Sequence, residues 1–273
     1  MVVSVISGGI GMHKLIKIIA VCLSALILNS CAHAMDKTLS LPSDTKWVNI
    51  EVKNPSQYTK PFPLEVRYIS YECMKKRICG FDGSVVTEPS YNVIGIPMMQ
   101  RSGDVWEAKV AMTGGGSCKW ILSAVNVGIE YIEATHLGKD LIPGSAVGVT
   151  VAFDADASRN GKFEIISGNK FNYTPKYYPV LERWSTQKNS TKSDKLNLFG
   201  GKSSFFDVRM IIKDNDAWVN YHPTIDEDKK VEMIFPYEKK KGVAFTFVYP
   251  NGERVSSREI KPDFKKLDEM NVN

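Results

Sequence analysis

From residue 46 onward, apolar positions recur mostly at every second residue. In "DVWEAKVAM" (104–112), Trp106, Ala108, Val110 and Met112 fall on one face, and Glu107 and Lys109 on the other. "PLEVRYISYE" (63–72) sets Leu64, Val66 and Tyr68 against Glu65 and Arg67. Side chains alternate across a strand, so this pattern predicts half-buried antiparallel strands. Further strands are predicted at 47–52, 120–132, 147–153, 162–166, 205–213, 217–221, 231–235, 243–249 and 254–260. Asn160-Gly161, Asp214-Asn215-Asp216 and Pro250-Asn251-Gly252 carry turn chemistry suited to hairpins. Only "PDFKKLDEM" (262–270) reads as helix, with Asp263 as its N-cap.

Many short strands separated by turns predict an all-β fold, an immunoglobulin-like β-sandwich with a second, smaller β unit. The polar stretch "STQKNSTKSDK" (185–195) marks the expected boundary. The layout is then a main sandwich over 46–175, a linker over 176–197, and a smaller β domain with a short C-terminal helix over 198–273. One continuous β domain with a long loop is the competing layout.

Upstream the pattern changes. Lys14 and Lys17 precede the apolar run Ile18–Leu28, and small residues follow, which is the order of a signal peptide. The run is shorter than the ~20 residues a spanning helix needs. Met1 to Gly11 carries no positive charge, so Met12 is the better start. Residues 1–30 therefore read as a signal peptide and 31–45 as a tether.

Leu28-Asn29-Ser30-Cys31 resembles the lipobox of bacterial lipoproteins. The resemblance covers residues 12–32 only. It implies diacylglycerol on the Cys31 thiol, cleavage before Cys31, and acylation of the new N-terminus, with palmitate as an expected chain. Several acyl chains anchor a protein stably, whereas one alone binds marginally. Ala32 in second position implies sorting to the outer membrane, facing the periplasm. Ala32-His33-Ala34 supports the alternative, ordinary secretory cleavage giving a soluble periplasmic protein.

The composition, 43% hydrophobic and 24% charged, is that of an ordinary globular chain, large enough to bury a core without disulfides. Lys14 and Lys17 are the only charges in residues 1–30, so removing that segment lowers the formal charge from +5 to +3. So small an excess is no nucleic-acid footprint. Of five cysteines, Cys22 lies in the apolar run and Cys31 at the processing site, leaving Cys73, Cys79 and Cys118. In an oxidising compartment these three allow one internal disulfide. Cys73 ends "VRYISYEC" and Cys118 opens "CKWILSAV", so pairing them staples two strands; Cys73–Cys79, closing a loop over "MKKRI", is the alternative. No Cys-x-x-Cys or neighbouring histidine suggests a metal held by these thiols.

"FGGKSS" (199–204) has the end of a phosphate loop, but Leu196 stands where its first glycine is required. "GGGSC" (114–118) offers Ser117 or Cys118 as a nucleophile with His136 or His222 as base, against the reading as a glycine turn opening a strand. Asp154, Asp156, Ser158 and Asn160 alternate as in a weak calcium loop, but Ser167 replaces the bidentate glutamate, and a polar hairpin turn competes. Lys75-Lys76-Arg77 and Lys239-Lys240-Lys241 are short basic clusters. Tyr173, Tyr177, Tyr178 and Trp184 are the candidates for contacting a partner or stacking on a sugar, with packing between domains as the competing role. No cofactor and no catalytic constellation is expected. The expected function is a non-catalytic, membrane-anchored, periplasm-facing lipoprotein that binds another protein, as envelope accessory subunits and toxin-immunity proteins do. Binding of cell-wall glycan or a small ligand is the alternative, and hydrolysis a more distant one.

Overall fold

A computed structural model describes residues 35–159, 161–184, 194–213, 215–236 and 244–271, and among these described residues there are twenty strands and one short α-helix. In chain order the first strands are β1 (Trp47–Lys53), β2 (Thr59–Pro61), β3 (Leu64–Ile78), β4 (Val85–Ile96), β5 (Met99–Ser102), β6 (Val105–Ala111) and β7 (Thr113–Gly115). Next come β8 (Trp120–Tyr131), β9 (Ile142–Pro143), β10 (Val147–Ala152), β11 (Glu164–Ser167), β12 (Lys170–Tyr173), β13 (Lys176–Trp184) and β14 (Lys195–Gly200). The last are β15 (Phe205–Ile211), β16 (Ala217–Tyr221), β17 (Thr224–Ile225), β18 (Val231–Phe235), β19 (Phe245–Val248), β20 (Arg254–Ser257) and the helix α1 (Phe264–Glu269).

The fold is a β-sandwich with a third sheet. The first sheet runs β12-β16-β1-β6-β5, and the second β11-β15-β10-β8-β3-β4, with β2 and β7 also on β8. The third runs β20-β19-β18-β13-β14-β9, with β17 on β13. Alternation does the expected work: Val48, Ile50 and Val52 of β1 and Leu64, Val66 and Tyr68 of β3 are buried, while Glu65 is exposed. Fully burying each such side chain stabilises the fold by ~1.5–3 kcal/mol. The Tyr68 hydroxyl donates to the Ala111 carbonyl across the layers (2.8 Å), which fixes the two sheets face to face.

The third sheet has its own apolar cluster of Tyr178, Val180, Val231, Met233, Phe247, Tyr249 and Leu267, the last from α1. Asp263 caps α1 as expected, accepting from the Lys266 amide (3.1 Å). Buried tyrosines join this sheet to the sandwich, where the Tyr221 hydroxyl of β16 donates to that of Tyr177 on β13 (3.0 Å).

The expected domain layout does not match this arrangement. Residues 176–184 form a strand central to the third sheet, where a linker was expected. The polar stretch at 185–195 connects β13 to β14, which pair antiparallel, so its lack of apolar residues marks a hairpin connection. Nor is 198–273 a unit apart. β15 joins the second sheet beside β10, β16 joins the first beside β1, and Thr38–Asn273 forms one compact unit.

Parallel pairings are the other departure. β1 runs parallel to β16, β10 and β11 to β15, β12 to β16, and β13 to β17 and β18. Their cause is that the chain crosses between sheets at a corner where a hairpin would turn back. β11 leads into β12 from the second sheet to the first, and β15 into β16 does the same alongside it. Asn169 ties the two corners. Its side-chain amide donates to the carbonyls of Lys213 (3.2 Å) and Asp216 (3.1 Å), and its Oδ1 accepts from the Lys213 amide (3.1 Å). Asp214-Asn215-Asp216 therefore belongs to a corner (Asp214 lies outside the described residues), and Asn160-Gly161 joins two strands that do not pair with each other. Pro250-Asn251-Gly252 does turn β19 back onto β20.

Candidate functional site

The second sheet carries two features that core packing does not account for: an arm at one edge and a loop laid over its outer face. The arm is the far half of the β3–β4 hairpin. Leu64–Ser70 pairs with Ser90–Ile96 in the body of the sheet, and then the register shifts between Ser70 and Met74. Tyr71, Glu72 and Cys73 form this bulge, and bulges re-aim strands. Buried Ser70 braces it, accepting from the Cys73 amide (2.9 Å) and donating to the Cys118 carbonyl (2.5 Å). The Cys73–Cys118 disulfide pins the same point to the start of β8, while Cys79 stays free at the tip. The predicted staple is the one that forms.

Beyond the bulge the alternation of buried and exposed residues stops. Ile78 is 70% exposed, Phe81 99% and Val85 63%, with Met74 and Val86 exposed as well. The tip is ordered by Asp82, whose Oδ1 accepts from the Ser84 amide (3.0 Å) and hydroxyl (2.8 Å). These bonds hold the Asp82 carboxyl below the usual carboxylate range. Of the basic cluster, Lys75 and Arg77 both reach Glu88 (3.2 and 3.4 Å), one carboxylate shared between two cations. β4 is also the edge of its sheet, and its outer backbone groups are open to a further strand.

Strand register builds the outer face of the sheet. Glu65 lies opposite Asn126, Asn126 opposite Thr150, and Thr150 opposite Asp207, a polar row across β3, β8, β10 and β15. The neighbouring row on that face is Arg67, Ala124, Ala152 and Arg209. The two central alanines leave room for the loop 153–163, whose Ala157 and Phe163 pack onto them. Between loop and sheet lies a cavity of ≈ 200 Å³, lined by the polar row, Arg67, Arg159, Ala124, Ala157 and Phe163. Arg159 holds φ at +51° in the left-handed region, which costs a residue with a Cβ ~1–2 kcal/mol. The Tyr71 hydroxyl donates to Asp156 (2.7 Å), tying the loop to the base of the arm. Desolvation first, and then the Asp156 bond, hold that phenol above its ordinary pKa.

The calcium-loop residues have other partners. Asp154 Oδ1 accepts from the Ala157 amide (2.6 Å), Asp156 from Tyr71, and buried Ser158 donates to the Ala155 carbonyl (3.0 Å). Asn160 lies outside the described residues. Among the described residues no group of three or more His, Cys, Asp or Glu side chains is placed to hold a metal ion.

The aromatic candidates for partner contact are largely interior. Tyr177 and Tyr178 are buried, the first on Tyr221 and the second stacked on Phe264 (6.1 Å). Tyr173 is half-buried against Phe206 (5.1 Å), and Trp184 stacks on Phe235 (4.5 Å). Aromatic richness in this stretch reflects the joint between the sandwich and the third sheet, so Tyr177 and Tyr178 present no binding surface. Among the described residues the exposed aromatics are elsewhere, at Tyr71, Phe81, Phe205 and Trp218.

Of the nucleophile candidates, Cys118 has a structural role. Cys118 is oxidised and buried. A Cβ at Gly115 would stand 2.1 Å from the Ser40 carbonyl oxygen, and at Gly116 2.5 Å from that of Thr38. These glycines therefore let segment 38–42 cross the turn. His136 stacks on Tyr58 (3.6 Å) with Glu133 and Glu227 at its nitrogens (3.3 Å each), and His222 pairs with Glu51 (2.8 Å). Lys202 of the "FGGKSS" stretch pairs with Glu164 (2.5 Å). Cys31 and Lys239-Lys240-Lys241 lie outside the described residues. Among the described residues no helix is long and apolar enough to cross a membrane.

Comparison with family models, with curated proteins and with solved structures finds no match to this chain.

Proposed function

We propose that the chain is a non-catalytic exported protein, lipid-anchored at Cys31, that binds another protein through the arm. The observation that carries the reading is the exposure of Ile78, Phe81 and Val85 on a hairpin pinned by a disulfide. A monomer gains nothing by presenting these side chains to water, and exposed apolar surface of this kind marks contact sites. The open edge of β4 adds backbone donors and acceptors that a partner strand satisfies. Over residues 71–90 Glu72, Asp82 and Glu88 equal Lys75, Lys76 and Arg77 in number, so the arm lacks the net positive charge that favours an anionic lipid surface, and a protein fits better. The lipid anchor rests on Leu28-Asn29-Ser30-Cys31, with Ala32 directing the protein to the periplasmic face of the outer membrane. In this reading the immunoglobulin-like likeness concerns layering alone, since immunoglobulin sheets are antiparallel.

Two experiments test the two halves of the reading. Cys31→Ala should release the protein into the soluble periplasm; a mutant that stays membrane-bound overturns the anchor. A stoichiometric partner co-purified with the full chain should be lost from Ile78→Ser/Phe81→Ser. Retention of that partner overturns the arm as the contact.

A further inference from the structure

The cavity under the loop 153–163 is lined by charges of both signs, Arg67 and Arg159 with Glu65 and Asp207. Arg67 lies over the Tyr91 ring (5.5 Å) with its Nε buried and without a hydrogen-bond partner, and Arg159 lies over Phe163 (5.9 Å). Opposite them, Glu65 accepts only a long bond from Asn126 (3.4 Å), and Asp207 ends the same row. No ion pair among the described residues joins either arginine to either carboxylate. At ≈ 200 Å³ the space is smaller than the ~300–1,000 Å³ of pockets for drug-sized ligands, so it suits one small molecule.

Charge selects among small molecules. A neutral sugar leaves two guanidiniums and two carboxylates without counter-charges. A dianion such as phosphate satisfies the arginines but faces Glu65 and Asp207, and like charges at close range oppose binding. A zwitterion meets both signs with charge-assisted hydrogen bonds. Ala124, Ala157 and Phe163 supply an apolar wall for a short side chain, and Asn126 and Thr150 the polar floor.

We propose that this cavity binds a free α-amino acid, its carboxylate on Arg67 and Arg159 and its ammonium group on Glu65, two residues before Arg67 on the same face of β3. The site shares no lining residue with the exposed part of the arm.

Calorimetric titration of the full chain with glycine, alanine, serine and glutamate tests the proposal, each compared with its N-acetyl and amide forms, with glucose and inorganic phosphate alongside. At least one free amino acid should bind, and blocking either its ammonium or its carboxylate should weaken binding about tenfold or more. Arg159→Ala, on the exposed loop, should weaken it by a similar factor with an unchanged melting curve, and so should Glu65→Gln, its acidic counterpart. Phe81→Ser should leave the titration as in the parent, which separates this site from the arm. Absence of binding by all four amino acids, equal binding of the blocked forms, preference for glucose or phosphate, or an unaffected Arg159→Ala would each overturn the proposal.

Discussion

Ile69 and Ile78 are the same residue on the same strand, nine positions apart, and they belong to different kinds of structure. Ile69 is fully buried in the body of the sheet; Ile78 is 70% exposed on the arm. Before the bulge, β3 is stabilised by the burial of one face. Beyond it, the hairpin is held by backbone pairing to β4, the Glu88 ion pairs and the Asp82 turn, with no core beneath it. Isolated two-stranded hairpins are marginal in water. The arm therefore depends on its root, and the root is where Ser70 and the Cys73–Cys118 disulfide sit.

Removing that root should have the largest effect. Cys73→Ser/Cys118→Ser opens a loop of 45 residues, and chain entropy puts the loss at about 4 kcal/mol; denaturant unfolding of the oxidised parent and the double variant measures it. Ile69→Ala should cost about 2–5 kcal/mol by leaving a cavity, while Ile78→Ala should stay within ~0.5 kcal/mol. Equal costs at the two positions would erase the distinction between body and arm. Alkaline pH should attack the body selectively. Burial raises the phenols of Tyr68 and Tyr178 to about 12 and that of Tyr221 well above its ordinary value. The unfolded chain then loses protons first, so stability is full below pH ~10 and falls as pH rises through the folded values; thermal midpoints across that range check the sign. Tyr71→Phe removes an exposed link between arm and loop and should cost ~1 kcal/mol or less, visible as faster amide exchange at 154–159.

Much of the body was legible as alternation. β1, β6, β8, β10, β15 and β16 fall where period two places them, Asp263 caps α1, and Cys73 and Cys118 pair as strand ends. β13 was missed because Pro179 interrupts it and burial on both faces removes alternation from "KYYPVLERW". The interior place of Tyr177 and Tyr178 follows from the same burial, which aromatic richness alone does not reveal. β4 was missed for a related reason, with Pro89 and Gly95 in a sequence that has no consistent polar face. A glycine-rich "CGFDGS" between apolar ends was the available sign of a hairpin tip. The cavity left no local signal. Glu65, Asn126, Thr150 and Asp207 share a row only through the register of four strands, and parallel pairing of β10 with β15 cannot be read from spacing.

The stacked corners at Asn169 and Asp216 bear on the order in which the chain can fold. The Trp47 amide is held by the Asp216 carboxylate, a bond spanning 169 residues, and β1 has β16 as its parallel neighbour. Loop closure on that scale must come before the contact rewards it, and non-local pairing of this kind slows folding. Until β15 and β16 arrive, one edge of β10 and one edge of β1 remain open to wrong pairing. A chain shortened before residue 205 should therefore aggregate, since both layers of the sandwich are finished by strands from its last third.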